Sequence, residues 1–146
     1  MVKRQHHTGF SVANLDRTLK FYGEGLGLEV MNRIHGPKGY HASMTGYPEC
    51  NLEIAFVAVP NGPPLEFIQY VEPAGDPLDM ETFRAGNVHI ALVVEDIAAA
   101  LDKLISLGGS PRSEAPISIP SGPNKGAQAI YVRDPDGITV ELYQLA

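Results

Sequence analysis

The stretch Asn87–Asp96, NVHIALVVED, decides how this chain is read, because its pattern has occurred once already at His6–Leu15, HHTGFSVANL. In each copy a His is followed two places on by a small residue and five places on by a Val. These are His7, Gly9 and Val12 in the first copy, and His89, Ala91 and Val94 in the second, with an offset of 82 residues at both His and Val. Self-similarity at a fixed offset marks a duplicated structural unit. The units also end alike. Leu65-Glu66-Phe67-Ile68-Gln69 and Val140-Glu141-Leu142-Tyr143-Gln144 each read apolar, Glu, two apolar, Gln. The Glu lies 59 residues past its His in the first unit and 52 past it in the second, a difference that loop length absorbs.

Working outward, Gln5 to Val12 alternates as a strand, with Thr8, Phe10 and Val12 on one face and His7, Gly9 and Ser11 on the other. His6 then points away from His7. A helix is expected after the N-cap Asn14, with Asp16 in its first turn and Leu15, Leu19 and Tyr22 at helical spacing, ended by Gly25 and Gly27. Leu28 to Ile34 reads as a strand and Gly36-Pro37-Lys38-Gly39 as a turn. Residues 40–50 carry no clear pattern. Asn51 to Val59 is a strand, joined through Pro60-Asn61-Gly62-Pro63-Pro64 to the strand of Glu66. Residues 72–86 mix Pro, Gly and acids, and read as a connector with room for a short helix around Met80–Phe83.

The second unit repeats the order. A strand at Val88–Val94 leads to a helix at Ile97–Leu107, with Ile97, Leu101, Leu104 and Ile105 on one face and a stop at Gly108-Gly109. The proline-punctuated stretch Pro111–Pro123 has room for one short edge strand. Strands at Ala127–Arg133 and Ile138–Tyr143 are joined by the turn Asp134-Pro135-Asp136-Gly137. The chain is thus α+β, a single domain over 1–146 built from a β-α-β-β-β module at 1–71 and another at 87–146, with connector 72–86.

Composition narrows the function classes. At 146 residues the chain can bury a sizeable core. A net charge of −6 with no basic stripe argues against a nucleic-acid partner. One cysteine, Cys50, excludes an internal disulfide framework and a Cys-rich zinc site. The N-terminal MVKRQHH lacks the apolar core of a signal peptide, and no stretch approaches the ~20 apolar residues of a membrane span. A soluble, cytoplasmic protein acting on a small molecule, with no membrane partner, is expected.

Four residues carry the chemistry. His7 and His89 share a face with Gly9 and Ala91, whose small side chains leave space beside the imidazoles. Glu66 and Glu141 each interrupt an apolar strand, where an unpaired buried carboxylate would cost several kcal/mol or protonate. One divalent cation removes that penalty for all four. Imidazole and carboxylate together suit Zn, Fe, Mn, Co or Ni, and the lack of thiolate argues against a closed structural zinc site. The competing reading is two Glu–His or Glu–Arg ion pairs, or Glu at exposed strand ends.

With HxGxxVxNLDxxLxFY at His7–Tyr22, LGL at Leu26, LEF around Glu66, VHIALVVEDI at Val88 and RDPDGITVELYQ at Arg133, the chain resembles the vicinal oxygen chelate superfamily. That superfamily comprises glyoxalase I, bleomycin-resistance proteins and extradiol dioxygenases. The resemblance implies two β-α-β-β-β modules curling into a curved mixed-sheet cup with helices outside. It implies one divalent metal ion held at the positions of His7, Glu66, His89 and Glu141. It implies a homodimer too, the site being built within one chain or from modules of two.

If four protein groups bind a six-coordinate ion, two adjacent positions remain for a bidentate oxygen pair. The implied chemistry is that of a lyase or isomerase of the glyoxalase I or methylmalonyl-CoA epimerase type. There the cation stabilises an enolate or enediolate while Glu141 or Glu66, loosened from the metal, acts as general base. A ring-cleaving dioxygenase needs a third open position for dioxygen, so Glu66 argues against it without removing it as the alternative. Drug sequestration without metal chemistry ranks third. Ile68, Tyr70 and Tyr143 share faces with the two Glu and are candidate cavity walls, with plain core as the equal alternative. Tyr22 is expected to pack under the sheet. His35 and His41 lie in or beside a loop and read as exposed, with a substrate contact as the alternative. Arg33, Lys38, Arg84, Lys125 and Arg133 are candidate anchors for an anionic substrate group.

Overall fold

The computed structural model describes residues 1–37, 40–47 and 49–146. Lys38, Gly39 and the side chain of His41 lie outside the described residues. The chain separates into two compact units, Met1–Pro77 and Leu78–Ala146. Residues 72–77 thus go with the first unit and 78–86 with the second. Among the described residues no helix is long and apolar enough to cross a membrane.

The first unit runs β1 (Thr8–Ser11), α1 (Leu15–Leu26), β2 (Val30–Pro37), α2 (Tyr40–Thr45), β3 (Asn51–Val57) and β4 (Leu65–Glu72). Its sheet has the order β1-β4-β3-β2, with β1 parallel to β4 and the other pairs antiparallel. The register sets the faces: Gly9 and Phe56 flank Glu66, while Phe10 and Ala55 flank Phe67 on the opposite side. That second side is covered by α1, which buries Leu15, Thr18, Phe21 and Tyr22. Tyr22 lies under the sheet as expected, its ring centroid 4.6 Å from that of Phe67, and Phe10 stacks on Phe67 at 5.8 Å. On the Glu66 side, at the far end of β4, Ala42 of α2 joins Cys50, Leu52 and Ile54 in a cluster that packs Ile34, Phe56, Ile68 and Tyr70. Ile68 and Tyr70 are thus partly buried against that cluster.

Asn14 caps α1, its side chain accepting from the Arg17 N–H, and Gly27 closes it in the left-handed region at φ 69°. Gly25, expected as part of the stop, lies inside the last turn. β2 continues through Gly36 and Pro37, where a turn was expected, because those residues still pair with Leu52 and Asn51.

The second unit runs β5 (His89–Val93), α3 (Ile97–Ser106), β6 (Ser110–Pro111), β7 (Ile117–Ser118), β8 (Gln128–Arg133) and β9 (Thr139–Gln144). Its sheet has the order β5-β9-β8-β6, with β7 also pairing β8. Ala91 and Tyr131 flank Glu141, as Gly9 and Phe56 flank Glu66. Ile97, Leu101 and Leu104 of α3 are buried, as are Ile130, Val132, Val140 and Leu142 on the strands. Ile105 is exposed, because the apolar stripe needs only the three positions one turn apart. The single edge strand expected between Pro111 and Pro123 is two short bridges, since the prolines there cannot donate to a longer ladder. No helix forms at Met80–Phe83. The segment takes successive turns closed by Arg84 N–H to Glu81 O and Asn87 N–H to Arg84 O, while Asp79 pairs with Arg84 and Glu81 with Arg112 and Arg133.

The repeated Gln has the same task twice. The Gln69 side-chain oxygen accepts from the Leu15 N–H at 2.7 Å, and that of Gln144 from the Ile97 N–H at 2.8 Å. Each satisfies a first-turn N–H that has no partner inside its helix and ties that helix to the strand bearing the Glu.

A surface clamp supports the first unit. Arg33 on β2 donates to Asp16 at the start of α1 and to Glu53 on β3. The Arg33 hydrogen bond, partly opposed by desolvation, holds the Glu53 carboxyl below its ordinary value of 4.5. A depressed folded-state value means the contribution is complete above about pH 4.5 and fades as the pH falls through the folded value. Arg33→Ala is therefore expected to cost about 1 kcal/mol at neutral pH, small because these groups are part-exposed. Urea midpoints should show the gap to the native chain narrowing below pH 4.5, and a gap constant with pH would contradict the assignment.

Candidate functional site

Each unit brings its own His and Glu together. His7 Nε2 lies 3.2 Å from Glu66 Oε2, and His89 Nε2 lies 3.3 Å from Glu141 Oε2. The backbone places them: each Glu pairs in parallel register with the small residue two places after its His, Gly9 in one unit and Ala91 in the other. Both carboxylates are mostly covered, at 13% and 16% side-chain exposure, while the imidazoles are more open at 36% and 43%. A Cβ added at Gly9 would stand 3.2 Å from Glu66 Oε2, so the space beside that oxygen depends on glycine.

An aromatic ring backs each imidazole from the strand neighbouring the Glu. Phe56 meets His7 edge-on at 5.7 Å, and Tyr131 lies 5.0 Å from His89. Both rings sit directly opposite the Glu in the antiparallel register. The two rings differ by one hydroxyl, which Tyr131 places 3.4 Å from His89 Nε2. Burial first, then the neighbouring Glu141 and Tyr143, push the Tyr131 phenol above its ordinary value of 10.0, so it stays a donor at neutral pH. Tyr131 and Glu141 line a pocket of about 330 Å³ together with Arg112, Ser113, Ile117, Ala129 and Ile130.

The donor set can be compared with what a cation requires. Two adjacent ligands of a six-coordinate ion, each bonded at about 2.1 Å, stand about 3 Å apart. The N···O separations of 3.2 and 3.3 Å are close to that edge. Neutral imidazole and carboxylate are also the donor types that divalent Zn, Fe, Mn, Co or Ni accept. The pairs fit such an ion, each supplying one nitrogen and one oxygen. Within either unit, among the described residues, no group of three or more His, Cys, Asp or Glu is placed to hold a metal ion.

Of the other residues singled out by sequence, most have partners of their own. Arg33 is held by Asp16 and Glu53, Arg84 by Asp79, and Arg133 by Glu81 and the Met80 carbonyl. Lys125 is exposed on the loop before β8. His35, expected in or beside a loop, lies within β2, because that strand continues to Pro37; it is exposed and 3.6 Å from Glu53, its cross-strand partner. Cys50 is a buried free thiol. Tyr143 is half-buried on the Glu141 side of β9.

His6, expected to turn away from His7, touches it instead, with Nδ1 to Nδ1 at 2.8 Å. The strand begins only at Thr8, so alternation does not govern residues 6 and 7. Sequence reading also passed over Phe56, Tyr131 and Arg112. An aromatic on a strand is ordinary, and the signal available was that both rings stand ten residues before the Glu of their unit or directly across from it: 131 to 141 by count, 56 to 66 likewise.

The chain resembles known proteins over most of its length. Residues 4–142 match the model of the Glyoxalase/Bleomycin resistance protein/Dioxygenase superfamily. YwbC of Bacillus subtilis is 30% identical over 145 residues, covering 99% of both chains. The lactoylglutathione lyase of Salmonella typhimurium is 31% identical over 144 residues, covering 94% of this chain and 90% of that protein. Among solved structures, a glyoxalase family protein from Bacillus cereus superposes with a TM-score of 0.81 at 22% identity, covering 99% of this chain and 95% of its own. Glyoxalase I from Zea mays, as its V278E variant, gives a TM-score of 0.71 at 26% identity, with this chain covering 45% of that chain's length. With its duplicated α+β units and their paired His and Glu, the chain belongs to the glyoxalase, bleomycin-resistance and dioxygenase superfamily.

Proposed function

We propose that this protein is a divalent-metal-dependent lyase of the glyoxalase I type, converting the hemithioacetal of a 2-oxoaldehyde and glutathione into the isomeric 2-hydroxyacyl thioester. The observation that supports it most is the twofold His–Glu pair, in the same register and at nearly the same separation in both units. Relatives named lactoylglutathione lyase, at 29–31% identity over most of the chain, support the same choice. In this reading His7, Glu66, His89 and Glu141 hold one ion, contributed by one chain or by two copies. When bound, the ion would polarise adjacent substrate oxygens and make the neighbouring C–H more acidic.

The remaining chemistry is proton movement by the chain's own residues. Glu141, which opens on the 330 Å³ pocket, takes the proton from the carbon bearing the hydroxyl and the sulfur. It returns that proton to the adjacent carbonyl carbon, while the hydroxyl proton passes between the two oxygens. Atoms balance, as an isomerisation requires. Glu66 retains the pairing with His7, and the Tyr131 hydroxyl offers a donor to a substrate oxygen at the pocket wall.

The test is to load the purified chain separately with Mn, Fe, Co, Ni and Zn and follow thioester formation from methylglyoxal and glutathione. Conversion that a chelator abolishes and metal restores is expected. No conversion under any loading, with oxygen uptake on catechols by the Fe(II) form, would overturn the lyase reading in favour of a dioxygenase. Drug binding unaffected by chelator, without turnover, would overturn it in favour of a binding protein.

A further inference from the structure

Of the two imidazoles, only that of His7 is held from behind by another. Among the described residues, the polar contacts of His89 are both at Nε2, to Glu141 and Tyr131. His7 has one contact at each ring nitrogen. Nε2 faces Glu66 at 3.2 Å, and Nδ1 meets His6 Nδ1 at 2.8 Å, the two rings standing edge to face at 5.1 Å.

A short contact between two imidazole nitrogens needs one proton between them, which couples the tautomers of two neutral rings. Two arrangements satisfy it. In the first, His6 Nδ1–H donates to His7 Nδ1, and His7 carries its own proton on Nε2, directed at Glu66. In the second, His7 Nδ1–H donates to His6 Nδ1, His6 carries its proton on Nε2, and His7 Nε2 is bare. Only the second leaves the nitrogen beside Glu66 free to bind a cation. Each ring has one proton in both, so the exchange needs no net uptake or release.

We infer that His6 is a positioning residue for the metal centre: by accepting from His7 Nδ1–H it selects the His7 tautomer with a bare Nε2 and holds the ring at the Glu66 carboxylate. The inference rests on the proposed role of His7 as a ligand. A ligating imidazole ordinarily donates its second N–H to an acceptor, and removing that acceptor weakens metal affinity by about 10- to 100-fold. His6 fills the acceptor's place with a second imidazole instead of the usual carboxylate or carbonyl. Phe56, packed edge-on against His7, restricts the ring from another side. The chain therefore fixes its first imidazole through a neighbour in sequence. The second is fixed through Tyr131 across the sheet.

The experiment measures Co²⁺ and Zn²⁺ affinity of the full chain by competition with a chromophoric chelator. It compares the native chain with His6→Ala, His6→Asn, His7→Ala and the double variant His6→Ala/His7→Ala. His6 is exposed, so the variants should fold, and circular dichroism checks that. His6→Ala is expected to weaken affinity about tenfold, near the lower end because the contact is solvent-exposed. His6→Asn, whose side-chain carbonyl can accept from Nδ1–H, should recover most of that loss. Adding His6→Ala to His7→Ala should change nothing further.

Unchanged affinity in His6→Ala, with His7→Ala strongly weakened, would overturn this inference and leave the metal centre standing. A loss in His6→Ala as large as that in His7→Ala would overturn it by making His6 a ligand. A further loss on adding His6→Ala to His7→Ala would overturn it by showing that His6 does not act through His7. A native chain that binds neither ion would overturn the metal-centre reading, and this inference with it.

Discussion

Glu141→Gln is expected to lower kcat/KM for the hemithioacetal by about a thousandfold, and Glu66→Gln by at least a hundredfold. The amide keeps the size of the carboxylate and the strand register, so the effect reads charge and basicity. On the proposed mechanism, the substitution at position 141 would remove a general base, typically worth 10²–10⁴, along with an anionic ligand. At position 66 it would remove an anionic ligand and leave the base. Each Glu is mostly covered and has a His Nε2 within 3.3 Å, so the imidazole would remain but with a neutral partner. Steady-state kinetics on metal-loaded protein decide the matter. Losses below about tenfold at both positions would mean that the carboxylates are structural partners of the His residues and no part of the chemistry. A larger loss at Glu66 than at Glu141 would exchange their roles.

Phe67→Ala is expected to destabilise the first unit by about 3–5 kcal/mol, the cost of emptying a fully buried aromatic site. Phe67 is 0% exposed and stands between the rings of Phe10 on β1 and Tyr22 on α1. The strand, its parallel neighbour and the covering helix are thus joined through one side chain. Phe67 also follows Glu66 directly on the opposite face, so loosening it releases the strand that aims the carboxylate. For a chain of this length the loss corresponds to a fall in Tm of roughly 10 °C. Denaturant titration with separate probes for the two units checks the prediction. A cost under about 1 kcal/mol would mean that the site collapses without a cavity and that Phe10 and Tyr22 repack on each other.

Much of this was legible because duplication made each local pattern appear twice. The offset of 82 residues between His7 and His89 corresponds to the same parallel register, Gly9 opposite Glu66 and Ala91 opposite Glu141. The apolar-Glu-apolar-apolar-Gln ending marked the strand that carries the carboxylate. What its Gln does, capping the helix, was not readable, since it bonds to a residue more than forty positions away. α2 escaped notice because six residues hold too little periodicity, and its packing rests on Ala42. The short helix for which Met80–Phe83 had room does not form, because ion pairs of Glu81 with Arg112 and Arg133 and of Asp79 with Arg84 go with turns instead. His6 was misplaced because a two-residue alternation was carried past the first residue of β1. The role of Tyr131 depends on cross-strand register, which no local stretch of sequence displays.

The central claim, that His7, Glu66, His89 and Glu141 form one metal centre, is tested most directly by counting bound metal. Elemental analysis would compare the native chain with Glu66→Ala and Glu141→Ala after identical loading with Mn, Fe, Co, Ni and Zn and removal of free ion. The account predicts about one ion for each set of the four residues in the native protein, with strongly reduced retention in both variants. No retained metal in the native chain, or full retention in both variants, would contradict it.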